Sequence, residues 1–183
     1  MNTAAVIHYE RDTEGIVTLT IDDPNGPVNL MNQAFKTSLK QVVDRLYEER
    51  EQVSGVILAS AKKTFFAGGD LESLASASPE RAKEETAYVN DMKSDMRRLE
   101  TLGKPVVAAI NGAALGGGLE VALVAHYRVA AELPGTRIGL PEVSLGLLPG
   151  GGGITRVVRM LGLQKALSDV ILPATKFTVQ GAL

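Results

Sequence analysis

The hydrophobic pattern of the chain predicts several β-strands. In the segment Ile16–Ile21, apolar residues alternate with threonines, and this period of two is typical of a strand with one buried face. Residues 55–59 and 106–110 are short, wholly apolar or glycine-led runs, as found in strands that are covered on both faces of a parallel sheet. Residues 126–130 predict a further strand.

Other segments repeat their apolar residues at the spacing of an α-helix. One helix is predicted to begin after Asn32, a favourable N-cap residue. A second carries Met92, Met96 and Leu99 on one face, where methionines usually pack in the core. Further helices are predicted over residues 119–125, 154–161 and 164–171, and residues 177–183 predict the opening of another.

Strands therefore alternate with helices along the chain. This order predicts an α/β fold in which parallel pairing of the strands dominates. The chain has 183 residues, a length that fits one domain spanning residues 1–183.

Composition and charge exclude several kinds of function. There are 19 basic and 21 acidic residues, giving a formal charge of −2, and this balance provides no basic surface for nucleic acid. Cysteine is absent and the two histidines lie far apart, so no metal site is expected. No apolar run is long enough to span a membrane, and the N-terminus does not have the pattern of a signal peptide. We expect a soluble, cytoplasmic protein.

Glycine-rich loops are the most unusual feature of the sequence, and they first suggest nucleotide binding. A phosphate-binding Walker loop requires a lysine after its last glycine, and neither glycine run has one. A dinucleotide-binding fingerprint requires glycines at the first, third and sixth positions. The run that begins at Gly116 has Val121 at the sixth position, and the run at residues 150–153 also fails at its third glycine. Both nucleotide interpretations are therefore weak.

A different interpretation combines backbone donors with carboxylates. A helix that starts near Gly117, after a strand and a glycine loop, presents free N–H groups and the positive end of its dipole. Gly69 can provide a second amide, and two such donors would form an oxyanion hole. Glu120 follows one turn later in apolar surroundings, where an unpaired carboxylate is costly. Glu142 follows Pro141. Alone, Glu120 could also be a capping or solvent-facing residue, and Glu142 could cap a following helix.

Three motifs together resemble a known family. The segments INGAALGGGLEVA (residues 110–122), FFAGGDLE (residues 65–72) and IGLPEVSLGLLPGGGG (residues 138–153) closely resemble the enoyl-CoA hydratase/isomerase, or crotonase, superfamily. The similarity extends to IVTLTIDDPNGPVNLMN near the start. It implies a crotonase-like spiral of ββα units, whose sheets pack roughly at right angles.

The resemblance also implies a reaction and the residues that perform it. Gly69 and Gly117 would bind the thioester oxygen of a 2-enoyl-CoA, while Glu120 and Glu142 would add water across its C2–C3 double bond. Hydration needs no cofactor besides the coenzyme A of the substrate. The glycine loops would bind that coenzyme A, with Lys62 or Lys63 near its phosphates. The substrate-binding residues expected in these loops are Phe66, Ala67, Gly68, Asp70 and Gly116.

The segment PNGPVNLMNQAF resembles the first domain of multifunctional fatty-acid-oxidation α-subunits. This implies that an NAD-dependent 3-hydroxyacyl-CoA dehydrogenase follows, and that the full-length protein forms a homo-oligomer or a complex with a thiolase subunit. Relatives continue beyond Leu183 into helices that complete the acyl pocket, so we expect the chain to be a fragment that lacks this helical part. Two alternatives remain. The protein could be a 3-enoyl-CoA isomerase or another crotonase-type lyase, or a non-catalytic RNA-binding or scaffold protein of the same fold.

Overall fold

The computed structural model describes residues 5–76 and 78–183. Within these ranges the strands are β1 (Ile7–Arg11), β2 (Ile16–Ile21), β3 (Gly55–Ser60), β4 (Val106–Ile110), β5 (Ala114–Leu115), β6 (Tyr127–Ala130), β7 (Ile138–Gly139) and β8 (Lys176–Phe177). The helices are α1 (Gln33–Glu48), α2 (Leu71–Ala75), α3 (Ala82–Glu100), α4 (Gly117–Val124), α5 (Gly153–Leu161) and α6 (Leu163–Lys165). Helix α6 continues as a π-helix over Ala166–Ile171, and 3-10 turns are formed by Arg50–Gln52, Pro79–Arg81, Glu142–Leu145 and Gln180–Ala182.

Five strands form the main sheet in the order β1-β2-β3-β4-β6. Strand β1 pairs antiparallel with β2, and the other neighbouring strands are parallel. Burial alternates along β2 as its sequence predicts, with Val17 and Leu19 fully inaccessible and the threonines only partly covered. The predicted α/β class with mainly parallel pairing is therefore confirmed for this sheet.

Parallel neighbours require crossover connections, and helices provide them. Helix α1 links β2 to β3, α3 links β3 to β4, and α4 lies between β4 and β6. Helix α1 packs on α3, and α3 packs on α4. The side chain of Asn32 accepts a hydrogen bond from the Phe35 N–H at 2.9 Å, so the predicted N-cap of α1 is confirmed. Every residue of α4 is buried, as its almost wholly apolar sequence indicates.

A second, three-stranded sheet has the order β5-β7-β8. Strand β5 follows β4 after only three residues and pairs parallel with β7, which pairs antiparallel with β8. This short sheet fixes the glycine loop of residues 116–118 beside the segment that contains Glu142. It therefore positions the residues that the sequence singles out.

The C-terminal segment differs from its prediction. Residues 177–183 do not open an α-helix: Lys176–Phe177 is strand β8, and only Gln180–Ala182 makes a 3-10 turn. The physical reason is that β7 offers a free edge, on which Phe177 pairs with Ile138 and packs against the core. The helix predicted over residues 164–171 forms mostly as a π-helix.

Across the described parts of the chain, no helix has both the length and the apolar character needed to cross a bilayer.

Candidate active site

The first part of the site is the N-terminus of α4. The chain leaves β5 through Gly116, whose φ of 54° and ψ of −126° require glycine. Helix α4 begins at the next residue. A Cβ on Gly118 would collide with the main-chain carbonyl of Phe66. The glycines thus allow the backbone of the helix N-terminus to lie directly against the loop of residues 66–70.

Main-chain hydrogen bonds join these two segments. The Phe66 N–H donates to the Ala113 carbonyl at 3.1 Å, and the Leu115 N–H donates to the Phe66 carbonyl at 3.2 Å. The Phe66 ring is fully buried and lies edge-on to Phe35, with 5.0 Å between ring centroids. Phe66 was expected to contact coenzyme A, but its side chain has no exposed surface and its amide groups are both paired. Phe66 therefore fixes the loop, and its contact with coenzyme A stays a prediction.

The peptide amides of Gly69 and Gly117 have defined directions. The Met31 N–H donates to the Gly68 carbonyl at 2.9 Å, and the Glu120 N–H donates to the Gly116 carbonyl at 3.0 Å. In a trans peptide the C=O and N–H point in opposite directions, and the described chain contains no cis peptide. The N–H of Gly69 therefore points away from Met31, and that of Gly117 points out of the helix N-terminus.

These two peptides are also neighbours. A Cβ built on Gly117 would lie 3.5 Å from the carbonyl carbon of Gly68, and one on Gly116 would lie 3.9 Å from the Gly68 Cα. The structure thus brings the glycines of both loops into contact. An oxygen atom placed beside the helix N-terminus would have the main-chain donors of α4 within reach.

Glu120 is buried in the first turn of α4, with 2% of its surface exposed. Its Oε1 accepts a hydrogen bond from the Gly153 N–H at 2.8 Å. Burial raises the pKa of Glu120, and hydrogen bonds from the Gly153 and Gly151 amides oppose that effect. The alternative of a solvent-facing residue is excluded by this burial, and the bonds from the 151–153 turn favour the ionised carboxylate.

Glu142 opens the 3-10 turn Glu142–Leu145, and the N-cap of this turn is Pro141. One oxygen lies 3.1 Å from the position of a Cβ on Gly116. The other, Oε2, is buried and has no hydrogen-bond partner among the described residues. Burial raises the pKa of Glu142 to about 7, with a further contribution from the charge of Glu120. Glu142 is therefore protonated over part of the neutral range.

The two carboxyl groups have different environments. Glu120 is held by main-chain donors that favour its charged form, whereas Glu142 has an oxygen that no protein group satisfies. Burial raises the pKa of both groups, and two carboxyl groups in different environments can divide the acid and base roles of one site. Chemically, the pair can accept a proton at one place and donate a proton at another.

The remaining predicted residues have other surroundings. Ala67 donates its N–H to the Asn29 carbonyl at 3.0 Å, and the Asp70 carboxylate accepts the Ser73 N–H at 3.3 Å at the start of α2. Lys62 is engaged in an ion pair with Asp22 at 2.7 Å. The side chain of Lys63 is exposed, and a contact of either lysine with phosphates stays a prediction.

Two features of the site escape sequence reasoning. Met31 places its methyl group 3.0 Å from a Cβ position on Gly117, although 86 positions separate the two residues (117 − 31). The run 150–153 appears in the sequence as a failed nucleotide motif, but it supplies the amides that bind Glu120. The signal was the glycine run itself, because a turn without side chains can approach a buried carboxylate.

Comparison with known proteins identifies the class of this fold and site. An enoyl-CoA hydratase of Bacillus anthracis has a solved structure that is 31% identical in sequence, with a TM-score of 0.83 over 97% of this chain and 66% of that protein. An enoyl-CoA hydratase structure from Geobacillus kaustophilus is 28% identical, with a TM-score of 0.86 over 97% of this chain and 64% of that one. The protein therefore has the crotonase fold.

The family follows from the sequence comparison. The enoyl-CoA hydratase/isomerase family model matches residues 11–183, and the chain belongs to this family. It is also 39% identical over its whole length to the fatty acid oxidation complex subunit alpha of Aliivibrio fischeri, of which it covers 26%. The chain thus spans about a quarter of that curated relative and about two thirds of the solved hydratases.

Proposed function

We propose that the chain hydrates 2-enoyl-CoA thioesters to 3-hydroxyacyl-CoA, as in fatty-acid β-oxidation. The observation that carries the proposal is the placement of both carboxylates at the start of α4. Glu142 lies against Gly116, Glu120 is in the first turn of the helix, and the charge of Glu120 acts on Glu142. A buried and a half-buried carboxyl group beside main-chain donors suit the addition of water to a polarised thioester.

The oxyanion site acts on the thioester oxygen. When the amides of Gly69 and Gly117 donate to this oxygen, C3 becomes electrophilic and negative charge develops on the oxygen during attack. A donor of this kind is typically worth ~3 to 4 kcal/mol in the transition state. Both amides belong to main-chain segments held by hydrogen bonds. These donors therefore need to move little when the negative charge develops on the thioester oxygen.

The carboxyl groups move the protons. Ionised Glu120 takes a proton from water as the water oxygen bonds to C3, and the electron pair of the double bond moves toward C2 and the thioester oxygen. Neutral Glu142 then delivers its proton to C2, and the C2–H bond completes the product. Glu120 ends protonated and Glu142 ionised, so the proton returns to Glu142 before the next turnover.

A second activity has its own support. A group with a pKa of about 7 can both remove and return a proton near neutral pH. Glu142 alone would then suffice to move a 3-enoyl double bond into conjugation with the thioester. Isomerisation of 3-enoyl-CoA is therefore proposed as a secondary reaction of the same site.

Hydration of crotonyl-CoA tests the main proposal. The conjugated thioester absorbs in the ultraviolet, and its absorbance falls as water adds. With 3-enoyl-CoA the absorbance first rises if the protein isomerises. Loss of absorbance with crotonyl-CoA is the expected result. Turnover of 3-enoyl-CoA without any hydration would overturn the main proposal in favour of an isomerase.

The full-length protein is a separate proposal. The identity of 39% with a fatty acid oxidation complex α-subunit supports a place in such a complex. We further propose a multifunctional cytoplasmic enzyme that also contains an NAD-dependent 3-hydroxyacyl-CoA dehydrogenase and assembles with a thiolase subunit. Sequencing the complete reading frame tests this directly, because a dinucleotide-binding βαβ unit would be visible in it.

A further inference from the structure

Arg156 lies behind the turn that binds Glu120. Its side chain projects from α5 and is only 11% exposed. One terminal nitrogen, Nη2, is 2.9 Å from Oε2 of Glu100 at the end of α3, and the other, Nη1, donates to the Gly151 carbonyl at 3.4 Å. The guanidinium group thus connects α3, α5 and the glycine turn.

The glycine turn is shaped around this guanidinium group. Gly152 has a φ of 104°, and a Cβ at this position would lie 2.5 Å from Arg156 Nη1. The same turn presents the amides of Gly151 and Gly153 to Glu120 on its other side. A displacement of the guanidinium would therefore displace the donors that hold Glu120.

We infer that Arg156, anchored by Glu100, is a positioning residue that holds the 151–153 turn against Glu120. The inference rests on the proposed hydration, in which Glu120 is the base. Arg156 itself touches neither substrate nor water in this role. It acts through the turn and through its charge.

The charges around Glu120 agree with this role. Arg156 on α5 and Lys93 on α3 favour the charged form and lower the pKa of Glu120, against the larger effect of burial. Glu142 is the opposing acidic neighbour, since its own pKa responds to Glu120. Glu100 offsets part of the Arg156 charge, and it also pairs with Arg97 at 2.9 Å.

The test compares Arg156→Gln with Arg159→Gln. Arg159 is exposed on the same helix, so the control removes the same charge without touching the turn. With crotonyl-CoA we expect kcat to fall at least ~10-fold in Arg156→Gln, as for a catalytic group displaced by a fraction of an ångström. KM should change little, because the thioester and coenzyme A contacts remain. Arg159→Gln should match the wild type.

A titration provides a readout that a purely structural role would not move. In protein labelled with ¹³C at glutamate carboxyls, the Glu120 signal is identified by its loss in Glu120→Gln. Its midpoint should move to higher pH in Arg156→Gln and stay unchanged in Arg159→Gln. Arg156→Lys keeps the charge but not the fork geometry, so its midpoint should lie closer to the wild type while kcat remains reduced. Glu100→Gln should also lower kcat.

The outcomes separate this inference from the proposed function. A wild-type protein that does not hydrate crotonyl-CoA defeats the proposed function, and the titration still tests the position and charge of Glu120. An active wild type in which Arg156→Gln and Arg159→Gln behave alike, in both kcat and midpoint, overturns the inference alone. If Arg156→Gln does not fold, Arg156→Lys and Glu100→Gln test the inference in its place. A normal kcat in both of these variants refutes the positioning role of Arg156.

Discussion

The amide of Gly153 donates a hydrogen bond to Glu120 Oε1 at 2.8 Å, joining two residues that are 33 positions apart. This bond connects the start of α5 to the first turn of α4. Hydrogen bonds to the charged form of a buried carboxylate offset part of its lost solvation, although burial still raises the pKa of Glu120. The catalytic proposal depends on this arrangement.

The first prediction concerns the two carboxyl groups. Glu120→Gln and Glu142→Gln should each lower the rate of crotonyl-CoA hydration by at least ~100-fold, the lower end for general acid–base groups. The amide keeps the shape of the side chain but cannot exchange a proton. The loss of thioester absorbance gives kcat directly. Glu48→Gln, at an exposed position of α1, is the control, and near-normal turnover in either site variant would contradict the assignment.

The second prediction tests the geometry of the glycine turn. A Cβ on Gly151 would lie 2.7 Å from Glu120 Oε2, whereas the nearest atom to a Cβ on Gly150 is 4.0 Å away. Gly151→Ala should therefore displace the carboxylate and reduce kcat at least ~10-fold, because small misplacements of a catalytic group are costly. Gly150→Ala should retain activity. Kinetics and thermal unfolding of both variants provide the measurement.

The displaced atom in Gly151→Ala is the end of a side chain and not the backbone. The melting temperature of Gly151→Ala should therefore stay close to that of the wild type, although its kcat falls. Equal activity of the two alanine variants would show that Glu120 tolerates movement and does not act from the position seen here.

Sequence reasoning predicted the main sheet well, because its strands have clear patterns. Strand β2 alternates, and β3 and β4 are continuous apolar runs, so each pattern had one reasonable interpretation. Strand β1 was not predicted. Only Ile7 of its five residues is buried, and an edge strand of this kind carries almost no hydrophobic signal. Its place is set by pairing with β2.

The site was predictable where function required glycine and was hidden where it depends on distant contacts. The glycine loops and Glu120 are visible as an unusual local composition. The contact between Arg156 and Glu100 joins residues 56 positions apart, and the sequence around neither residue predicts this contact. Likewise, no pattern indicates that Phe66 is turned into the core against Phe35.

The third prediction concerns the contact between the two loops. A Cβ on Gly118 would strike the Phe66 carbonyl, a main-chain atom that also accepts the Leu115 N–H. Since the backbone cannot move aside cheaply, Gly118→Ala should destabilise the protein by about 3 kcal/mol or more. A Cβ on Gly26 meets nothing closer than 3.8 Å, so Gly26→Ala should stay within about 0.5 kcal/mol of the wild type. Urea unfolding measures both, and comparable stability of the two variants would refute the proposed close approach.

The last prediction links Glu142 to the pH dependence of stability. The pKa of Glu142 is raised to about 7 by burial, from 4.5 in an unperturbed side chain. Between these values the folded state holds a proton that the unfolded chain releases. The stabilising contribution is therefore complete below pH 4.5 and is lost as the pH rises through 7. The difference corresponds to at most ~3 kcal/mol, and to less here because the side chain is only half-buried.

Urea unfolding of the wild type and Glu142→Gln from pH 5 to pH 8 measures this contribution. Glutamine cannot titrate, so the free energy of unfolding of the wild type should decrease relative to the variant as the pH rises. We expect a relative loss of about 1 to 2 kcal/mol over this range. Glu120 is present in both proteins, and its own raised pKa largely cancels in the comparison. The free energy of unfolding of Glu48→Gln should change with pH in the same way as that of the wild type. A constant difference between wild type and Glu142→Gln at every pH would mean that Glu142 titrates normally, and it would remove the basis for its role as the acid.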